Sequence, residues 1–129
     1  MPFKGAVRMT SPFGWRKLNG ESNFHNGVDL VGVDSTDIIS PLDGTVIMAG
    51  YGMECGNQMQ IYTRSGRTMF LCHMKKMYVK TGDTVKQGQK LGVMGNTGTK
   101  CFGAHLHFGL YDGKGRNGEL FDAQKFFNL

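Results

Sequence analysis

Apolar and polar residues alternate with a period of two along much of this chain, and turn residues interrupt the alternation every few positions. The plainest case is Gln58-Met59-Gln60-Ile61-Tyr62-Thr63, a run in which every second side chain would face one side of a sheet. The turn Arg64-Ser65-Gly66-Arg67 leads into Thr68-Met69-Phe70-Leu71-Cys72-His73-Met74, which predicts a hairpin. Upstream, Ile38-Ile39 reads as a strand and Pro41-Leu42-Asp43-Gly44 as a turn, followed by Thr45-Val46-Ile47-Met48-Ala49 as the next strand. Residues 1–20 read as loop or short strand with a turn at Asn19-Gly20, and Lys75 to Lys80 as a short turn or exposed strand. In residues 79–92, turns at Gly82-Asp83 and Gln87-Gly88 bracket a very short strand, the shape of a tight β corner. A glycine-rich segment, residues 96–103, then delivers the chain to Ala104-His105-Leu106-His107-Phe108. Only residues 121–127 suit a helix, with Asp122 placed to cap it.

Composition agrees with that reading. Twenty glycines against three prolines in 129 residues favour many tight turns over long helices. The length suits one domain, residues 1–129, and there is no repeat, low-complexity tract or linker to divide it. No apolar run approaches the roughly 18 residues a membrane span needs, so no membrane insertion is expected. The start lacks the apolar core of a signal peptide, so the chain is expected to be a piece of a longer protein or to be delivered by another route. Cys55, Cys72 and Cys101 form no Cys-x-x-Cys pair, and each is expected to be a small buried hydrophobe, not part of a disulfide framework. The net charge of +5 favours anionic partners such as an acidic wall polymer. Its basic residues are scattered, with no motif that reads nucleic acid, and none is expected as a partner.

The chemistry lies in the four histidines, His25, His73, His105 and His107. His105 and His107 are i and i+2 in a predicted strand, so both imidazoles face the same space. His25 and Asp29 are i and i+4 in an extended segment and again share a face, able to converge if the chain bends. A catalytic zinc takes three protein ligands from histidine and carboxylate and keeps a fourth position open. His25, Asp29 and one member of the His105/His107 pair supply that set. His73 and the other member are left for proton transfer and oxyanion stabilisation in a metal-assisted hydrolysis. No His-Glu-x-x-His helix is present, which excludes a thermolysin-type centre.

His25-Asn26-Gly27-Val28-Asp29, Phe70-Leu71-Cys72-His73-Met74, the corner at residues 80–89 and His105-Leu106-His107-Phe108 occur in the order seen in the lysostaphin/LytM-type zinc endopeptidases, peptidase family M23. Ser11-Pro12-Phe13-Gly14-Trp15-Arg16 also resembles that family's opening Ser-x-Phe-Gly-x-Arg. The resemblance runs from about Ser11 to Phe108. It implies an all-β fold, an antiparallel sheet or sandwich carrying a substrate groove, with zinc as cofactor and peptide bonds of bacterial peptidoglycan as substrate. By position it implies His25, Asp29 and His107 as zinc ligands and His73 and His105 as the catalytic histidines. One place departs from the family, Leu71, where a tyrosine is usual two residues before the third histidine.

An enzyme acting on the bacterial cell wall fits a bacteriophage tail or lysis protein, virion-associated or part of a larger chain, and the nine methionines and unpaired cysteines suit such a protein. The corner sequence also resembles that of biotinyl and lipoyl carrier domains. There, however, the modified lysine turn follows the corner, whereas Met74-Lys75-Lys76-Met77 precedes it. A non-catalytic wall-binding or regulatory module of the same fold is the other reading. The groove loops that would choose the scissile bond are expected at residues 53–57 and 96–103.

Overall fold

The structure, a computed structural model, describes residues 1–18, 20–98, 103–116 and 118–127, the side chain of Leu18 excepted. Its elements in chain order are β1 (Val7–Ser11), β2 (Gly14–Leu18), β3 (Glu21–His25), β4 (Val28–Gly32), β5 (Asp37–Ile39), β6 (Gly44–Gly52), β7 (Gly56–Thr63), β8 (Arg67–Met77), β9 (Thr84–Val85), β10 (Lys90–Met94), β11 (Leu106–Asp112), β12 (Leu120–Phe121) and α1 (Ala123–Phe126). Among the described residues every strand pairing is antiparallel. The main sheet runs β1-β4-β11-β8-β7-β6-β9, with β10 joining β5 to β8 and β12 lying on β11. Strands β2 and β3 form a separate hairpin. The expected all-β antiparallel fold with a short C-terminal helix is therefore the fold found. No helix among the described residues is long and apolar enough to cross a membrane.

The period-two pattern sorts side chains to two faces. On β11, Leu106, Phe108 and Leu110 enter the main core, while Tyr111 joins a smaller cluster with Phe70 and Cys72 on the opposite face. Strand β8 does the same, Met69 and Leu71 in the core and Phe70 and Cys72 opposite. Burial of both faces explains why residues 68–74 are all buried where β7 alternates. Leu71 is fully enclosed on the core side, so its departure from the family pattern does not reach the opposite face. Leu71→Ala should cost about 2–5 kcal/mol in denaturant unfolding, the range for truncating a buried leucine. A cost below about 1 kcal/mol would show that the site collapses around the loss.

The corner at residues 79–92 forms as expected. Asp83 Oδ2 accepts from Lys80 N at 2.9 Å, Gln89 Oε1 accepts from Lys86 N at 3.0 Å, and the two-residue β9 lies between the turns. Lys75 and Lys76 continue β8 as exposed strand residues. The helix is shorter than expected, because Phe121 pairs with Leu110 in the sheet before Asp122 caps α1 through Gln124 N at 2.9 Å. The cysteine reading needs correction. Cys55 and Cys72 form a disulfide, their Cα atoms 4.9 Å apart and 17 residues apart in sequence, while Cys101 lies outside the described residues. An odd cysteine count leaves one thiol over but does not forbid a pair, and here the turn before β7 brings Cys55 over β8. The cysteines thus no longer support a protein assembled with all thiols free.

Candidate active site

Three adjacent strands build the floor of the site. Asp29 on β4 sits directly opposite His107 on β11, and His107 sits opposite Cys72 on β8. His105, just ahead of β11, bridges to Gly95 and looks out on the same face as His107, as i and i+2 spacing requires. His25 arrives differently. It ends β3 in the separate hairpin, and Asn26-Gly27 then bends the chain into β4, so His25 and Asp29 meet across a bend between two sheets. Gly27 lets β11 approach closely beneath the bend, since an added Cβ would stand 2.6 Å from the Phe108 carbonyl oxygen and 3.1 Å from His107 Nε2.

His73 is placed by an irregularity that the period-two pattern does not contain. Regular alternation would put it on the core side with Met69 and Leu71. Instead the β7–β8 register slips between Asn57 and Met59, and His73 takes a left-handed φ of 69°, rare for a residue with a side chain. Its imidazole turns to the groove face beside Cys72, and Met74 returns to the core. The bulge is pinned on both sides. His73 N donates to Cys55 O at 2.7 Å and His73 Nδ1 donates to Thr97 O at 2.7 Å. Thr97 Oγ1 donates to Met74 O at 2.9 Å and accepts from Asn57 N at 3.1 Å.

All four imidazoles share one plan, with the outer nitrogen donating to an oxygen and the inner nitrogen facing the cleft. His25 Nδ1 donates to Pro12 O at 2.8 Å, His105 Nδ1 to Gly103 O at 3.0 Å, and His107 Nε2 to Asn26 Oδ1 at 2.7 Å. A carbonyl oxygen only accepts, so each outer nitrogen carries a proton; an inner nitrogen that is also protonated can donate, and one that is not offers its lone pair to a metal. His25 Nε2, Asp29 Oδ1 and His107 Nδ1 then lie 3.0–3.1 Å from one another. A tetrahedral zinc with bonds of about 2.0–2.2 Å would hold its ligands roughly 3.3 Å apart, so the three atoms fit one ion with little movement. His105 Nε2 stands slightly further off, 3.4 Å from Asp29 Oδ1. Two lone pairs and a carboxylate oxygen meeting at one point are a donor set that a divalent cation satisfies, and two nitrogens with one oxygen suit zinc.

Charge in the site follows from that crowding. Burial alone would raise the Asp29 carboxyl, but the imidazole nitrogens of His105, His107 and His25, 3.0–3.4 Å from its Oδ1, outweigh it and hold the group far below the usual carboxylate range. Burial lowers His73 and His107, which keeps both neutral and His107 ready to bind a metal. Burial pulls His105 down as well, yet its hydrogen bonds to Asp29 and Gly103 O leave it raised.

The structure thus brings together all five residues singled out from the sequence. Sequence reasoning gave no part to Asn26, which sets the His107 tautomer, or to Thr97 and Pro12, whose carbonyls set those of His73 and His25. Arg16 was noted only within the opening motif. Its Nη1 donates to Ser11 Oγ at 2.6 Å and lies 3.9 Å from Asp29 Oδ2. Of the expected groove loops, Glu54 and Cys55 line the cleft of about 620 Å³, while residues 99–102 lie outside the described residues. Asn26→Ala should weaken metal affinity about 10- to 100-fold, the usual cost of losing the partner that orients a ligating histidine. Competition against a chelator measures it, and unchanged affinity would show that Asn26 does not fix the His107 proton.

Known proteins share this arrangement of strands. Over 105 residues the chain is 37% identical to the peptidoglycan DD-endopeptidase ShyC of Vibrio cholerae, covering 78% of this chain and 24% of that protein. It is 35% identical over 95 residues to the murein hydrolase activator NlpD of Escherichia coli, covering 72% and 24%. The catalytic domain of the antimicrobial peptidase lysostaphin from Staphylococcus simulans has the same fold, with a TM-score of 0.83, 29% identity, and 95% and 93% of the two chains covered. The chain spans only 20–30% of the length of the curated relatives it matches. Residues 23–122, a stretch that holds all four histidines and Asp29, match the model of peptidase family M23, and the chain belongs to that family.

Proposed function

We propose that the chain is a zinc-dependent endopeptidase that hydrolyses peptide bonds in the stem peptides or cross-links of bacterial peptidoglycan. The observation that carries the reading is the convergence of His25 Nε2, Asp29 Oδ1 and His107 Nδ1, with His73 and His105 presenting further inner nitrogens to the same cleft. In this reading His25, Asp29 and His107 hold the zinc, which when bound supplies Lewis-acid activation of water at neutral pH. His73, neutral and with Nδ1 committed to Thr97 O, accepts a proton at Nε2 and returns it to the leaving amine. His105, whose proton is held more firmly, donates from Nε2 to the oxygen that gains charge as the carbonyl is attacked. Two imidazoles whose affinities for a proton are pushed apart are suited to such a division of labour.

Similarity to an activator of murein hydrolases favours a second reading, a wall-binding or regulatory module that does not itself cleave. The complete set of five side chains counts against it. Metal analysis of the purified protein, with release of soluble peptides from purified peptidoglycan in the presence and absence of chelator, separates the two. The hydrolase reading expects about one zinc and a release that chelator abolishes. Zinc without release from several wall types would leave the regulatory reading, and a protein that binds no zinc would refute the mechanism.

A further inference from the structure

The groove carries a cation that neither the metal site nor the proton transfers use. Arg116 follows β11 and lines the cleft that contains the histidines. Its Nη2 donates to the Tyr111 hydroxyl at 3.1 Å, and its guanidinium carbon lies 4.9 Å from the Phe70 ring centre and 5.2 Å from that of Tyr111. Phe70 and Tyr111 are themselves buried and packed on one another, ring centres 5.0 Å apart, so the guanidinium rests on a rigid platform. The residue is exposed, and among the described residues no carboxylate pairs with it. Of the two acidic residues lining the cleft, Asp29 is held by three histidines, and Glu54 makes no ion pair with Arg116. Stacking and the tyrosine bond fix the fork before any ligand arrives and leave most of its five N–H donors unused. That is the geometry that takes a carboxylate in two parallel hydrogen bonds.

We propose that Arg116 selects peptide substrates by binding a free carboxylate near the bond to be cut. The proposal rests on the hydrolase reading above. Phe70 stands between the two sites, its ring centre 5.6 Å from that of His107. The span from the His107 ring to the guanidinium is therefore no more than about three extended residues at roughly 3.3–3.6 Å each. The carboxylate recognised lies within that many residues of the scissile bond.

The test uses pairs of synthetic cross-linked peptides, identical except that one residue at one, two or three positions from the scissile bond, on either side, bears a carboxylate or a carboxamide. Both kcat/KM and Kd are measured with zinc-loaded wild type, Arg116→Gln and Arg116→Lys. Wild type should prefer the carboxylate about 10- to 100-fold in one of the pairs, the value of a charge-assisted hydrogen bond. Arg116→Gln should lose that preference by weakening on the carboxylate peptide alone, with its zinc content unchanged, and Arg116→Lys should keep part of it. No preference by wild type in any pair, or a preference that survives in Arg116→Gln, would overturn the proposal. If wild type cleaves none of the peptides the hydrolase reading fails, while the Kd values still decide whether Arg116 selects a carboxylate.

Discussion

His107→Ala protein should purify without zinc and release no peptide from peptidoglycan, whereas His105→Ala should keep about one zinc and still lose roughly 10²–10⁴-fold in kcat, the usual contribution of a positioned acid or base. The two residues are neighbours on one face of one strand, so the contrast rests on small differences of position. His107 Nδ1 is 3.0 Å from Asp29 Oδ1 and 3.1 Å from His25 Nε2. His105 Nε2 is 3.4 Å from Asp29 Oδ1. Removing His107 takes one of the three proposed ligands and leaves only His25 and Asp29 of that set. Metal analysis and a release assay on both variants decide the matter. Zinc lost from His105→Ala and retained by His107→Ala would exchange their roles, and full activity in His105→Ala would remove it from the chemistry.

Gly56→Ala should cost roughly 2–5 kcal/mol, about 1–2 from forcing a side chain into a left-handed conformation and about 1–3 from overpacking. Gly56 opens β7 at φ 66°, and an added Cβ would press on the Thr97 carbonyl and hydroxyl. Those groups hold His73, through its Nδ1 and through Met74 and Asn57 on either side of the bulge. The variant should therefore lose activity out of proportion to its stability while keeping its zinc, because the hydrogen bonds that hold His25, Asp29 and His107 go to other residues. Gly50→Ala, where an added Cβ meets nothing within 4 Å, is the control and should be near neutral. Denaturant unfolding beside the release assay checks both. A Gly56→Ala protein as stable and active as wild type would show that Thr97 yields freely and does not position His73.

Residues acting through local geometry were legible in the sequence. The His105-x-His107 pair, the corner at residues 79–92, the hairpin turn at residues 64–67 and the Asp122 cap depend on strand period and turn chemistry within a few positions, and the structure realises each. The convergence of His25 with Asp29 was expected on one bent strand but is achieved between a separate hairpin and the main sheet, because the Asn26-Gly27 bend ends one strand and starts another. The cysteine expectation failed for a related reason. Spacing records how far apart Cys55 and Cys72 are along the chain, and only the β7–β8 pairing brings them together.

By itself, then, the sequence determined which side chains are available, that the chain folds as antiparallel strands with glycine at the turns, and that two histidines share a face. Those features follow from covalent spacing and steric preference, which act within a strand or a turn. Tertiary structure alone decided which nitrogen of His25, His73 and His107 looks inward, since that depends on Pro12, Thr97 and Asn26 supplying acceptors from distant segments. It also decided that His73 faces the groove and Leu71 the core, because a bulge is set by pairing with a neighbouring strand and leaves no mark on the alternation of its own.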